Sequence, residues 1–97
     1  MIRLLVLTEH AELDLLETRD WYDQQRLGLG DDFMFAVDVC FAQIERTPEA
    51  FMFSHGQVRK TFLKKFPYVV LFRVTREEIL IVGCLHTSRD RSNWENR

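Results

Sequence analysis

Near Gln57 the spacing of apolar residues changes from a helical 3.6 to a strand-like 2, which limits the chain to a helical half followed by a sheet. Before the switch, Ala11, Leu15, Thr18 and Tyr22 fall at helical spacing, with Leu16 widening the stripe. Phe33, Val37, Phe41 and Ile44 line one face of a second helix. After it, Val58, Lys60, Phe62, Lys64 and Phe66 share one strand face. Tyr68, Val70, Phe72 and Val74 oppose Val69, Leu71 and Arg73 in the next strand. In a last strand Ile79, Ile81 and Leu85 alternate with Leu80, Val82, Cys84 and His86. The middle strand is apolar on both faces and is expected to be central, with Pro67 at its start, where no ladder hydrogen bond is lost.

Punctuation sets the remaining boundaries. Ile2–Leu7 is a short apolar run, expected as a strand buried on both faces. Thr8 is the expected cap of the first helix, with Glu9 and Glu12 in its first turn. Gly28 and Gly30 tolerate positive φ and stop that helix, and Asp31 or Asp32 is expected to cap the second. Pro48 ends it near Thr47. Residues 48–57 read as irregular, with Phe51, Met52 and Phe53 expected to tuck under the sheet; the alternative is a sticky patch. The expected order is strand 1–7, helices 8–27 and 31–47, strands 58–66, 67–75 and 78–86, and a tail 87–97. This is one α+β domain, β-α-α-β-β-β, with a helical hairpin packed on a mainly antiparallel twisted sheet.

Charge divides along the same line. Residues 1–57 carry eleven acidic and four basic residues, and residues 58–97 carry four acidic and nine basic, giving −7 and +5 and the net −2. From Val58 to Arg76 there is no carboxylate, while Arg59, Lys60, Lys64, Lys65, Arg73 and Arg76 are cationic. Such a meander attracts a phosphate backbone or an acidic protein segment, or else protects a strand edge from aggregation. No apolar run approaches the roughly 18 residues of a membrane span. Cys40 and Cys84 stand in apolar contexts without metal-ligand spacing, so buried free thiols in a reducing cytoplasm are expected, and no cofactor or metal.

One ordered set of residues is more specific. It comprises Ala11, Asp14-Leu15 and Trp21-Tyr22, then Gly28-Leu29-Gly30 with Phe33, and Pro48. Phe66-Pro67-Tyr68 follows with Val70, Phe72 and Arg73, then Leu85-His86, Arg89-Asp90 and Trp94 to Arg97. Over nearly its whole length the chain resembles the RelE/ParE superfamily of toxins from type II toxin–antitoxin modules, closer to the ParE-like branch. The resemblance implies a growth inhibitor neutralised by a cognate antitoxin in a hetero-oligomer. It also implies that the antitoxin has a segment that folds as it wraps the toxin; apolar grooves beside the hairpin and a cationic sheet suit an amphipathic segment with acidic residues.

The superfamily holds two mechanisms. A ParE-like chain poisons DNA gyrase and needs a binding surface rather than catalysis. A RelE-like chain cleaves mRNA on the ribosome and needs a base, an acid and cations for the phosphorane-like charge. For that chemistry the candidates are Lys60, Lys64, Arg73, His86 and Arg89. For target or antitoxin binding they are Arg59, Lys60, Lys64, Lys65, Arg73, His86, Arg89 and Arg91. His86 has a plain alternative, closing its strand by bonding the following turn, and Trp94 is expected to anchor the tail. Where RelE-like nucleases often carry an arginine after the strand-opening aromatic, this chain has Val69, and the terminal tyrosine of many of them has only Trp94 in its place. The expectation is therefore gyrase, with the endoribonuclease and a non-toxic relic that only binds as alternatives.

Overall fold

The structure, a computed structural model, describes residues 3–88. Arg89 and Arg91, candidates for binding and in Arg89's case for catalysis, and Trp94, expected to anchor the tail, lie outside the described residues. The elements are β1 (Leu4–Leu7), α1 (Glu9–Gln25), α2 (Leu29–Arg46), β2 (Phe53–His55), β3 (Val58–Phe62), β4 (Tyr68–Val74) and β5 (Glu78–His86). The strands form one sheet in the order β1-β5-β4-β3-β2, and both helices pack on one of its faces. The fold is α+β, with every strand pair antiparallel except β1 with β5.

The hairpin is fixed by a cap and two glycines with different tasks. Thr8 Oγ1 accepts the Ala11 N–H at 3.1 Å, and Glu9 and Glu12 sit in the first turn of α1, where their charge favours the helix dipole. The second helix starts at Leu29, earlier than expected, because Gly28 at φ 92° turns the chain directly into it. Asp31 and Asp32 therefore fall in its first turn and do not cap it. Gly30 is needed for closeness rather than for a positive φ. Its N–H donates to Asp23 Oδ1 at 2.8 Å, and a Cβ there would stand 2.6 Å from the carbonyl oxygen of Arg19.

Strand β4 is central, as its two apolar faces require. Val70 and Phe72 meet Ile79, Ile81 and Cys84 of β5 and the helix residues Leu15, Phe33, Val37 and Ile44. On the other face Val69, Leu71, Val82 and Leu85 form a second buried cluster, which neither helix covers. The parity expected of β5 fails at a bulge. Phe72 pairs with Ile81 but Leu71 with Gly83, so Val82 is an extra residue. Cys84 thus joins Ile79 and Ile81 on the helix side, and Leu85 joins Leu80 and Val82 on the other. The Cys84 N–H donates to Asp14 Oδ2 at 3.1 Å, tying the bulged strand to α1.

Three further expectations give way to geometry. The first strand is not buried on both faces: β1 is an edge, parallel to β5, with Leu5 and Leu7 against the core and Leu4 exposed. Strand β3 ends at Phe62 rather than 66. Beyond it Lys65 adopts φ 70°, and the Tyr68 N–H bonds the Phe66 carbonyl at 2.8 Å across Pro67. That tight turn swings Phe66 to the helix side, away from the face of Phe62. Residues 48–57 hold a 3-10 turn, Pro48–Ala50, and the short strand β2. Phe51 tucks edge-on against Phe72 at 5.6 Å, while Met52 and Phe53 stay exposed.

Both cysteines are free and buried, and burial pushes their thiols up, Cys40 to about 11 and Cys84 to about 12. Native protein at pH 8 is expected to resist thiol reagents and to react at both positions once unfolded. An unfolded thiol ionises near pH 8.5, so folding favours the protonated form and stability falls as pH rises from there toward the folded values. Fast modification of native protein at pH 8 would contradict this burial. Asp14→Ala is expected to cost about 1–3 kcal/mol by leaving the Cys84 N–H without its acceptor, and Asp14→Asn to recover most of that in a denaturant melt.

Candidate functional site

Strand register distributes the basic residues. In the β3–β4 ladder Val58 pairs with Arg73, Lys60 with Leu71 and Phe62 with Val69. Val58, Leu71 and Val69 belong to the cluster on the helix-free face, so Lys60 and Arg73 emerge there as diagonal neighbours. The Lys60 ammonium is 6.0 Å from the Phe62 ring centroid. This face therefore carries the half-buried Lys60 and the exposed Arg73 beside an apolar cluster that is itself buried.

Arg59 points the other way and has structural partners. Its Nη1 donates to the carbonyls of Glu49 at 3.1 Å and Phe51 at 2.7 Å, and its guanidinium lies 4.0 Å from the Phe53 ring centroid. It clamps the 49–53 segment to β3. Lys64 and Lys65 stand exposed in the β3–β4 turn, and Arg76 in the β4–β5 turn. Among the described residues the ion pairs are Arg3–Glu49, Arg19–Asp20 and Arg26–Asp32, so none uses a cation from 58–76.

His86 is separated from all of these. It faces the helix side, edge-on to Tyr68 at 5.2 Å between centroids. Its Nδ1 accepts the Ser88 N–H at 3.1 Å and lies 2.7 Å from Ser88 Oγ. Accepting the backbone N–H commits the Nδ1 lone pair, so the neutral ring carries its proton on Nε2. The residue closes β5 and bonds the following turn. The structure thus brings together Lys60 with Arg73, and Lys64 with Lys65, but places Arg59 and His86 elsewhere.

Two concavities flank the hairpin. One, of about 690 Å³, runs between α1 and the ends of β4 and β5, with Asp14, Glu17, Trp21, Tyr68 and His86 in its lining. The other, of about 790 Å³, is mostly apolar and lies between α2 and the β3–β4 turn. The wall between them is aromatic: Tyr22 sits 5.0 Å from Phe66 and 5.5 Å from Phe33, with Tyr68 5.4 Å from Phe33. Burial, and then the neighbouring Tyr68, raises the Tyr22 phenol above its ordinary range. Phe35 and Val39, on the rim of the apolar groove, escape a sequence reading because the core stripe of α2 is satisfied without them. Their i, i+4 spacing opposite Phe33 and Val37 is the signal that was there.

No protein-family model matches the chain, and no curated protein matches it. Among solved structures, a chain of the chromosomal ParDE TA system from P. aeruginosa superposes with a TM-score of 0.78, covering 88% of this chain and 96% of that one at 19% identity. That likeness establishes a shared fold, the one the RelE/ParE resemblance implies.

Arg59→Ala is expected to destabilise the protein by about 1–3 kcal/mol, since two carbonyl partners and an aromatic stack go with it. Arg73→Ala, exposed on its strand, is expected to shift stability by less than about 0.5 kcal/mol, and Lys60→Ala, half-buried, by less than about 1 kcal/mol. Urea titrations of the three variants separate the clamp from the display.

Proposed function

We propose that this chain is the toxin of a type II toxin–antitoxin module, a ParE-like inhibitor of DNA gyrase held silent by a cognate antitoxin. One observation carries the reading toward binding rather than catalysis: His86 bonds its own turn on the helix side, while Lys60 and Arg73 stand on the opposite face. In-line cleavage of RNA demands an acid–base group and cations converging on one phosphate. A gyrase-binding protein needs only a complementary surface, and the Lys60–Arg73 pair on the helix-free face supports that role. The fold shared with a ParDE chain supports the pairing with an antitoxin.

Purified chain, freed of antitoxin, is expected to inhibit supercoiling by gyrase or to trap its DNA cleavage complex, and Lys60→Ala/Arg73→Ala to weaken this by at least about tenfold, as loss of two buried charge contacts does. Full activity in gyrase controls with no effect of the protein would overturn the reading.

A second reading, the ribosome-dependent endoribonuclease, keeps the same pair as its support, because two adjacent cations on a sheet also suit a phosphate. It requires cleavage of translated mRNA inside codons and loss of growth arrest in His86→Ala or Arg73→Ala. Arrest that persists in the double variant excludes it.

A further inference from the structure

The concavity between α1 and the ends of β4 and β5 is a trough with two unlike ends. Asp14, Glu17, Thr18 and Trp21 line it from the helix at i, i+3, i+4 and i+7, a single stripe rising about 10 Å. Strand register sets the facing wall, since Val70 pairs with Cys84 and Tyr68 with His86. Asp14 is held at the Cys84 end, where its Oδ2 accepts the Cys84 N–H at 3.1 Å. Trp21 stands toward the other end beside Tyr22, their ring centroids 5.0 Å apart. Tyr68 lies 6.2 Å from Tyr22, and His86 closes this end 5.2 Å from Tyr68. The trough thus begins in carboxylates and finishes in aromatic rings.

Charge and exposure select the occupant. Among the described residues no lysine or arginine lines the trough. Helix α1 carries Glu9, Glu12, Asp14, Glu17, Asp20 and Asp23 against Arg19 alone, which is itself paired with Asp20. An anion is therefore repelled and a cation drawn in. Glu17 is exposed and belongs to none of the ion pairs of the described residues. Trp21 is 52% exposed, although the adjoining Tyr22 packs into the aromatic cluster. An indole left open one turn from a carboxylate offers a cation both a ring face and a counter-charge. The volume, about 690 Å³, is that of a small-molecule site. We propose that the trough binds an alkyl diamine or polyamine. One ammonium sits at Glu17 within the field of Asp14, another over the Trp21 and Tyr68 rings, and the methylene chain lies along the helix stripe between them. A metal ion would engage the carboxylates and leave the rings idle, and a monoamine would engage one end only.

The probe is putrescine, with butylamine and Mg²⁺ as comparisons at constant ionic strength. Chemical-shift titration of the full chain is expected to move the Trp21 indole N–H and the Glu17, Tyr68 and His86 amides, with a Kd of about 1 mM or below. Butylamine is expected to bind about five- to tenfold more weakly, because it lacks one of the two contacts. Trp21→Ala is expected to weaken putrescine by about three- to fivefold, Trp21→Phe to keep most of the affinity by keeping a ring face, and Glu17→Lys to abolish binding. Both positions are exposed, so the melts of these variants are expected to match that of the parent chain. Equal affinity for putrescine and butylamine overturns the inference, as do the same shifts with Mg²⁺, shifts confined to other surfaces, no shift at all, or indifference to Glu17→Lys. A dilysine peptide that binds more tightly than putrescine at these resonances overturns it too, because the occupant is then a protein side chain. None of these measurements reads gyrase, so either result stands whatever the supercoiling assay shows.

Discussion

A single extra residue in β5 decides how this molecule is arranged. Val82 breaks the two-residue period, so the first half of the strand places Ile79 and Ile81 under the helices and the second half places Cys84 and His86 there. Without the bulge, Leu85 would enter the cluster under the hairpin, and Cys84 and His86 would emerge beside Lys60 and Arg73. With it, imidazole and cations are kept on opposite sides of a sheet. The Asp14 carboxylate meets the Cys84 N–H two residues after the extra residue, so the register of β5 and the position of α1 are fixed together. Placement of the titratable groups follows from this one local device.

The Phe66-Pro67-Tyr68 stretch is the second device, and it acts through rings. Proline between the aromatics forces a three-residue turn, and the turn brings Phe66 and Tyr68 to the same side of the sheet. There they meet Tyr22 from α1 and Phe33 from α2, so one cluster joins both helices to the opening of the central strand. Edge-to-face contacts of this kind contribute about 0.5–1.5 kcal/mol each beyond the area they bury. A motif that looks like a strand signal in the sequence is the point where the two layers are joined.

The architecture was legible because it rests on repeated spacing: two helical stripes, a strand apolar on both faces, a threonine before a run of acids, and glycines between helices. What escaped rests on single events. A bulge leaves no trace in the alternation of Ile79 to His86, since every residue there except Gly83 is apolar or aromatic and either parity reads well. Gly30 announces a glycine but not whether φ or a close helix crossing demands it; the Arg19 carbonyl decides that, and it is eleven residues away. The β1–β5 pairing joins the two ends of the chain, a choice set by packing over the hairpin. For the site, the clustering of positive charge between 58 and 76 was visible, but alternation sends Arg59 and Lys60 to opposite faces, so a charge run became one clamp, one diagonal pair and one lysine turn.

That division bears directly on mechanism. Phosphoryl transfer within RNA rewards groups that converge within hydrogen-bond reach of one another, and a misplacement of about 1 Å already costs on the order of 10²-fold. The thickness of a sheet separates His86 from Lys60 and Arg73, and His86 Nδ1 is engaged by its own turn. Binding to a protein target carries no such demand for convergence: separate cationic and apolar patches each contribute, and their spacing sets specificity instead of rate. Lysines outside the ion pairs of the described residues and exposed phenylalanines favour association when nothing covers them.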